Sequence, residues 1–262
     1  MLSKNKLKYF ASLKRKKNRV HENRFLVEGL RLCEELLDSD YVAEVLIYCP
    51  DRCHSERAHK LLSKFQEKHV PITEIDINQL NNLTETVHSQ GIVCVAQKKA
   101  FDLAPFIDQP EINLIALDRI SEPGNLGTII RSASWFGIAG VLLSKDSAEV
   151  TNPKVLRASM GAVFHLAIFE NLHLSESLSA LQAKGFKLFA ADAGSHTLFS
   201  DAIFTKKNVL ILGNEIDGVA ANLKSAADAA LKIPKHGTGD SLNVAVAAGI
   251  IMEKMTFKKN LN

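Results

Sequence analysis

Residues 112–136, INLIALDRISEPGNLGTIIRSASWF, pass from an apolar run through a polar, glycine-bearing turn into a second apolar pattern with helical spacing. Ile112 to Leu117 is a short apolar run of the kind found in strands buried on both faces. Leu126 to Phe136 reads as a helix. Between them, Gly124 and Gly127 permit a tight turn or close backbone approach, and Asn125 stands where its side chain could cap the first helical amides. Arg131 follows within two turns of the helix start; taken alone, it reads as a surface residue paired with an acid. The alternation continues outward. Residues 140–143 (GVLL), 187–191 (KLFAA) and 208–212 (NVLIL) are further apolar runs. Helical stretches separate them at Leu174–Lys184 and at Leu242–Met255. Such alternation predicts an α/β domain built on a parallel sheet.

Ligands of open α/β sheets bind on the loops beyond the carboxyl ends of the strands, which directs attention to two more junctions. The first is LILGNEIDGV, with Gly213, Asn214 and Glu215 closing the most apolar strand. The second is IPKHGTGDSLNV. Here Ile233 and Pro234 end a strand, Gly237 and Gly239 form a loop, and Ser241, Leu242 and Asn243 open an Ala-rich helix. A glycine loop feeding a helix N-terminus offers unpaired amides and the positive end of the helix dipole.

Toward the N-terminus the pattern changes. Residues 41–48 and 92–96 read as strands and 55–68 as an amphipathic helix, so an αβαβ unit of about ninety residues is expected, large enough to fold alone. Residues 98–111, with two prolines, read as a linker between a first domain (1–97) and a second (112–262). Charge is unevenly placed. The net charge is +3, yet the first 24 residues hold nine basic residues and one acid, leaving 23 basic and 28 acidic residues for the rest. An arm with this balance, including Lys14, Arg15, Lys16, Lys17 and Arg24, suits a polyanion such as nucleic acid. Tyr9 and Phe10 within it could stack on bases; the alternative is a solvated, frayed terminus.

Other function classes are excluded by what is missing. At 262 residues, 46% hydrophobic and 23% charged, the composition is that of a globular protein and not of a disordered or fibrous one. No apolar stretch approaches the roughly 20 residues that span a bilayer. The start lacks an apolar signal segment, so a cytoplasmic address is expected. The four cysteines, Cys33, Cys49, Cys53 and Cys94, include one close pair beside His54, but no second ligand pair follows. Free thiols are expected, and no metal site. No dinucleotide turn follows an early strand, and no phosphate loop, zinc-protease or serine-hydrolase motif is present.

Taken together, Asn125-x-Gly127-x-x-x-Arg131, Gly213-Asn214-Glu215 and Ile233-Pro234-x-x-Gly237-x-x-x-Ser241-Leu242-Asn243-Val244 resemble the three motifs of the SpoU/TrmH family of RNA ribose 2′-O-methyltransferases. Arg157 to Ala162 (RASMGA) is a fourth family-like segment. Phe25 to Gly29 (FLVEG) resembles part of the substrate-binding domain often fused ahead of the catalytic one. One departure is Lys235, where the family pattern has an apolar residue after Ile-Pro. The resemblance implies a trefoil-knotted α/β catalytic domain of the SPOUT type, preceded by a smaller α/β RNA-binding domain. It implies S-adenosylmethionine bound around Gly213, Asn214, Ile233 and Leu242. Arg131 would be the catalytic residue, with Asn125, Glu215, Ser241 and Asn243 shaping the site, in a homodimer that completes the site across its interface. Large-subunit ribosomal RNA is the expected substrate ahead of transfer RNA, because of the added N-terminal domain. The alternatives are a transfer-RNA ribose enzyme, a base-methylating relative of the same fold, and a catalytically dead RNA-binding scaffold, against which the intact Arg131 and Ser241-Leu242-Asn243 speak.

Overall fold

A computed structural model of the chain describes residues 2–86, 88–239 and 241–257, which pack as two compact units. One comprises the chain up to Lys99 together with Glu149–His165; the other comprises Ala100–Ala148 and the chain from Leu166 onward.

In the first unit the basic arm is helical, with α1 at Lys4–Ser12 and α2 at Lys16–Glu22. Phe10 and Leu13 enter a core shared with Leu26, Ile47, Leu80, Val93 and Val95, while Lys4, Lys6, Lys8, Arg15, Lys16 and Lys17 face solvent. The arm is therefore a folded layer and not a frayed terminus, because its apolar side has a core to join. Next come β1 (Arg24–Glu28), α3 (Leu30–Leu37), β2 (Ala43–Tyr48), α4 (Glu56–Glu67), β3 (Ile72–Glu74), α5 (Ile77–Leu83) and β4 (Ile92–Gln97). The sheet runs β1-β4-β2-β3, with β4 antiparallel to both its neighbours and β3 parallel to β2. Sequence reading finds two of these strands. The FLVE run becomes β1 through its register with β4, from Arg24 opposite Gln97 to Glu28 opposite Val93. All four cysteines are buried free thiols, and burial pushes the Cys53 thiol up to about 11.

The second unit contains α6 (Ala104–Ile107), β5 (Ile112–Asp118), α7 (Pro123–Trp135), β6 (Gly140–Ser144), β7 (Ala167–Leu172), α9 (Leu174–Ala183), β8 (Lys187–Ala191), β9 (Lys207–Gly213), α10 (Ala221–Ala226), β10 (Ala229–Leu231) and α11 (Val244–Thr256). Helix α8 (Pro153–Ser159), between β6 and β7 in sequence, lies in the segment that packs with the first unit. The expected parallel sheet is present, in the order β10-β8-β9-β5-β6-β7 with every pairing parallel. One strand escaped the pattern, since Glu170 and Asn171 interrupt the apolar run of β7, and the strand expected to end at Ile233 and Pro234 is β10, which closes earlier, at Leu231. Leu114, Ala116, Val209 and Ile211 pack under Leu178, Leu181 and Leu223 from α9 and α10. Alternation turns Ile115, Leu117, Leu210 and Leu212 to the opposite face, where α11 packs on β9 and on α7. Among the described residues no helix is long and apolar enough to cross a membrane.

Candidate active site

The ends of β5 and β9 lie side by side, with Asp118 opposite Gly213, and the chain turns away from both. Each turn has a specific cause. Beyond β9, the Asn214 side-chain oxygen accepts from the amides of Ile216 (2.9 Å) and Asp217 (2.7 Å), and the Gly218 amide donates to the Asn214 carbonyl at 3.1 Å. This folds residues 214–218 back on the strand so tightly that a Cβ on Gly213 would lie 2.0–2.1 Å from the Gly218 and Val219 backbone. Gly213 is thus required by the chain's own turn, whatever ligand the turn faces.

Beyond β5, Arg119 adopts a left-handed backbone (φ +57°), uncommon for a residue with a side chain. Its amide donates to the Ser144 hydroxyl at 2.8 Å. Its guanidinium donates to Asp118 (3.0 and 3.2 Å), to Asp217 (3.3 Å) and to the Gly218 carbonyl (3.2 Å). Buried Asp118 also accepts from the Ala220 amide at 3.0 Å. The Asp118 carboxylate pushes the Arg119 pKa further up, so this clamp between the two loops stays charged. Sequence reading missed Arg119. The only local signal was a charged pair, Asp118-Arg119, at the end of an apolar strand.

The three motifs do converge. Asn125 donates its side-chain amide to the Glu215 carboxylate, and Asn243 donates at 3.0 Å to the Asn125 side-chain oxygen. Asn243 in turn caps α11, accepting from the Ala245 and Val246 amides at 2.9 and 3.3 Å. Asn125 is not the cap of α7. Pro123 takes the first helical position and Glu122 caps the helix, accepting from the Asn125 amide at 2.6 Å. That frees the Asn125 side chain for Glu215.

Beside this chain of contacts lies a cavity of about 500 Å³, whose walls include Gly213, Asn214, Glu215, Ile233, Ser241 and Leu242. It falls within the roughly 300–1,000 Å³ typical of small-molecule sites. Apolar Leu212, Ile233 and Leu242 could flank a flat ring, while Asp192, Glu215 and Asp217 supply carboxylates. Apolar walls and acceptor carboxylates of this kind fit a nucleoside carrying positive charge. Arg131 stands apart from the cavity, on the exposed side of α7, and makes no hydrogen bond or ion pair among the described residues.

The basic residues of the first unit are placed differently from one another. Arg15, Lys16 and Lys17 are exposed. Lys14 donates to the Thr84 carbonyl at 3.3 Å, and Arg24 pairs with Glu44 at 2.7 Å. Arg19 is buried: it binds both Glu149 oxygens, at 3.0 and 2.6 Å, and donates to the Leu13 and Lys14 carbonyls at 3.1 and 2.6 Å.

Comparison with known proteins matches residues 113–253 to the model of the SpoU rRNA methylase family and residues 4–94 to an MRM3-like substrate-binding domain. The chain is 32% identical over 248 residues to the 23S rRNA (guanosine(2553)-2′-O)-methyltransferase RlmP of Bacillus subtilis, covering 94% of each protein. Among solved structures it is similar to the SpoU methyltransferase AviRb from Streptomyces viridochromogenes in complex with the cofactor AdoMet, with a TM-score of 0.85, 27% identity and 97% of both chains covered. An AdoMet-bound rRNA methyltransferase from Sinorhizobium meliloti gives a TM-score of 0.85 at 27% identity, over 97% of this chain and 96% of that one.

Proposed function

The chain belongs to the SpoU rRNA methylase family, and from that premise we infer that it is an S-adenosylmethionine-dependent methyltransferase acting on a ribose 2′-hydroxyl of 23S ribosomal RNA. The observation that carries the reading is the meeting of the three motifs, Asn125, Glu215 and Asn243 in one hydrogen-bonded chain, beside a cavity lined by Gly213, Ile233, Ser241 and Leu242. When bound, S-adenosylmethionine supplies an activated methyl group. The Asn125–Glu215–Asn243 contacts hold the loops after β5 and β9 and the start of α11 in register, which fixes the cavity against the reacting hydroxyl. Arg131 binds the phosphate beside the target ribose, since its planar fork makes paired bonds to phosphate oxygens, and so orients and polarises the hydroxyl. The planar fork suits binding and orientation, which is the role assigned to Arg131.

In this reading residues 1–97 form the RNA-binding domain and 112–262 the catalytic domain, except that Glu149–His165 packs with the first unit, and 98–111 connect the two, with α6 packed in the second unit. Its support is the substrate-binding match over residues 4–94 and the exposed Arg15, Lys16 and Lys17, with Lys14 and Arg24 flanking them. The catalytic chain follows a trefoil-knotted path; its support is that Gly213–Gly218, before the α10–β10 excursion, and Ile233, Pro234, Ser241 and Leu242, after it, line one cavity. The enzyme works as a cytoplasmic homodimer. Trp135, 84% exposed one turn beyond Arg131 on α7, and Val246, 49% exposed on the packed helix α11, supply apolar surface for a partner.

The test uses a 23S RNA fragment whose target nucleotide has been located by mass spectrometry. Replacing that nucleotide by its 2′-deoxy form eliminates transfer while RNA binding largely persists, since the 2′-hydroxyl is the group removed. Methylation of the deoxy substrate, or a methyl group on the base, overturns the assignment.

A further inference from the structure

We propose that Lys235 recognises the amino-acid carboxylate of the cofactor; this rests on the reading of the cavity as the S-adenosylmethionine site. The charge of the walls is the starting point. Three carboxylates line the cavity, those of Asp192, Glu215 and Asp217, and Lys235 is the one cation among its described lining residues. Each carboxylate has a partner within the protein. Asp192 pairs with Lys224 at 2.8 Å, Asp217 binds Arg119 at 3.3 Å, and Glu215 accepts from Asn125. Lys235 makes no hydrogen bond or ion pair among the described residues.

Two of the three acids are thus neutralised within the protein, by Lys224 and Arg119, and the charges left uncompensated on the wall are one carboxylate, Glu215, and one ammonium, Lys235. S-adenosylmethionine carries a sulfonium, an ammonium and a single carboxylate. Its cationic end suits Glu215, the acid without a cationic partner, and its one anionic group suits the one lysine. Lys235 directly follows Ile233-Pro234, so the wall that meets the apolar part of the ligand also carries the cation. Its position is the point at which this chain departs from the family pattern, and the charge match gives that departure a purpose.

The experiment is calorimetry on the full-length protein with two ligands, S-adenosylhomocysteine, which has the carboxylate, and 5′-methylthioadenosine, which lacks the amino-acid part. Exchange of lysine for methionine keeps the length and removes the charge. Lys235→Met is expected to weaken S-adenosylhomocysteine roughly fivefold, the scale of a solvent-accessible ion pair, and to leave methylthioadenosine unchanged; Lys235→Arg keeps most of the affinity. Equal losses for both ligands, or no loss for either, overturn the assignment. So does a raised KM for RNA with unchanged binding of S-adenosylhomocysteine, which assigns Lys235 to a phosphate instead. Failure of the wild-type protein to bind either ligand overturns the cofactor site itself, and Lys235's role with it.

Discussion

Arg19 and Arg131 carry the same side chain in opposite circumstances. Arg19 is 5% exposed and commits its guanidinium to Glu149 and to two backbone carbonyls. Arg131 is exposed and makes no polar contact among the described residues. The first unit uses its buried charge to hold the turn that presents Arg15, Lys16 and Lys17. The second leaves a guanidinium uncommitted on the exposed side of α7. A charge used for architecture is paired and dehydrated; the Arg131 guanidinium is neither.

The largest expected effect breaks the architectural side. Arg19→Ala leaves Glu149 buried without its cation and lowers unfolding free energy by about 3–5 kcal/mol, read by denaturant melts. The acid limb gives a second reading. Burial alone would raise the Glu149 pKa, but hydrogen bonds from Arg19 and Thr151 outweigh it and hold the carboxyl below its usual range. The unfolded chain therefore takes up the proton first as pH falls. The stabilisation is complete above the unfolded value of about 4.3 and is lost as pH drops through the folded one; Glu149→Gln removes that part of the acid-side slope.

Arg131→Ala is the counterpart. It shifts stability by less than about 0.5 kcal/mol and lowers methyl transfer roughly 10²–10³-fold, with cofactor affinity held within a few-fold. Arg131→Lys does not rescue, because a point charge cannot make paired bonds to phosphate. A melt displaced as far as that of Arg19→Ala would erase the contrast between the two arginines.

Gly213→Ala comes next. The added Cβ meets the Gly218–Val219 backbone, so a thermal melt should show a loss of about 1–3 kcal/mol, with cofactor affinity falling alongside. A stable, tightly binding Gly213→Ala protein would show that residues 214–218 are not held as described.

The smallest effect sharpens the other side. Replacing Arg15, Lys16 and Lys17 together by alanine should leave the fold intact and reduce the salt slope of RNA binding by about 2. Deleting the whole arm is a poorer test, since it also removes Phe10 and Leu13 from the core and Arg19 from Glu149.

Legibility in the sequence followed the range of the interactions. Strands β5, β6, β8 and β9 were readable because each is a local apolar run buried in a parallel sheet. β3 was not, at three residues, β10 was read only by its end and two residues too long, and β1 depends on a partner strand about seventy residues away. The candidate site was readable as three motifs, whose residues Asn125, Glu215 and Asn243 prove to be bonded to one another. The cap of α7 was misread because Pro123 moves the helix start forward, giving the capping role to Glu122. Arg119 and the Arg19–Glu149 pair were out of reach. The first depends on a left-handed backbone and on Asp217 in another loop; the second joins residues 130 positions apart.

That last separation bears on how the protein is made. The chain crosses between its two units after residues 99, 148 and 165, so the first unit is not contiguous in synthesis. Domains generally fold in order as they emerge, at about 5–20 residues per second. Here the N-terminal sheet leaves the ribosome while the segment bearing Glu149 is still untranslated, and Arg19 must wait for on the order of ten seconds at those rates. During that interval the basic turn lacks its anchor. The exposed basic turn at Arg15, Lys16 and Lys17 is therefore finished late in translation, after β5 and β6 have been made.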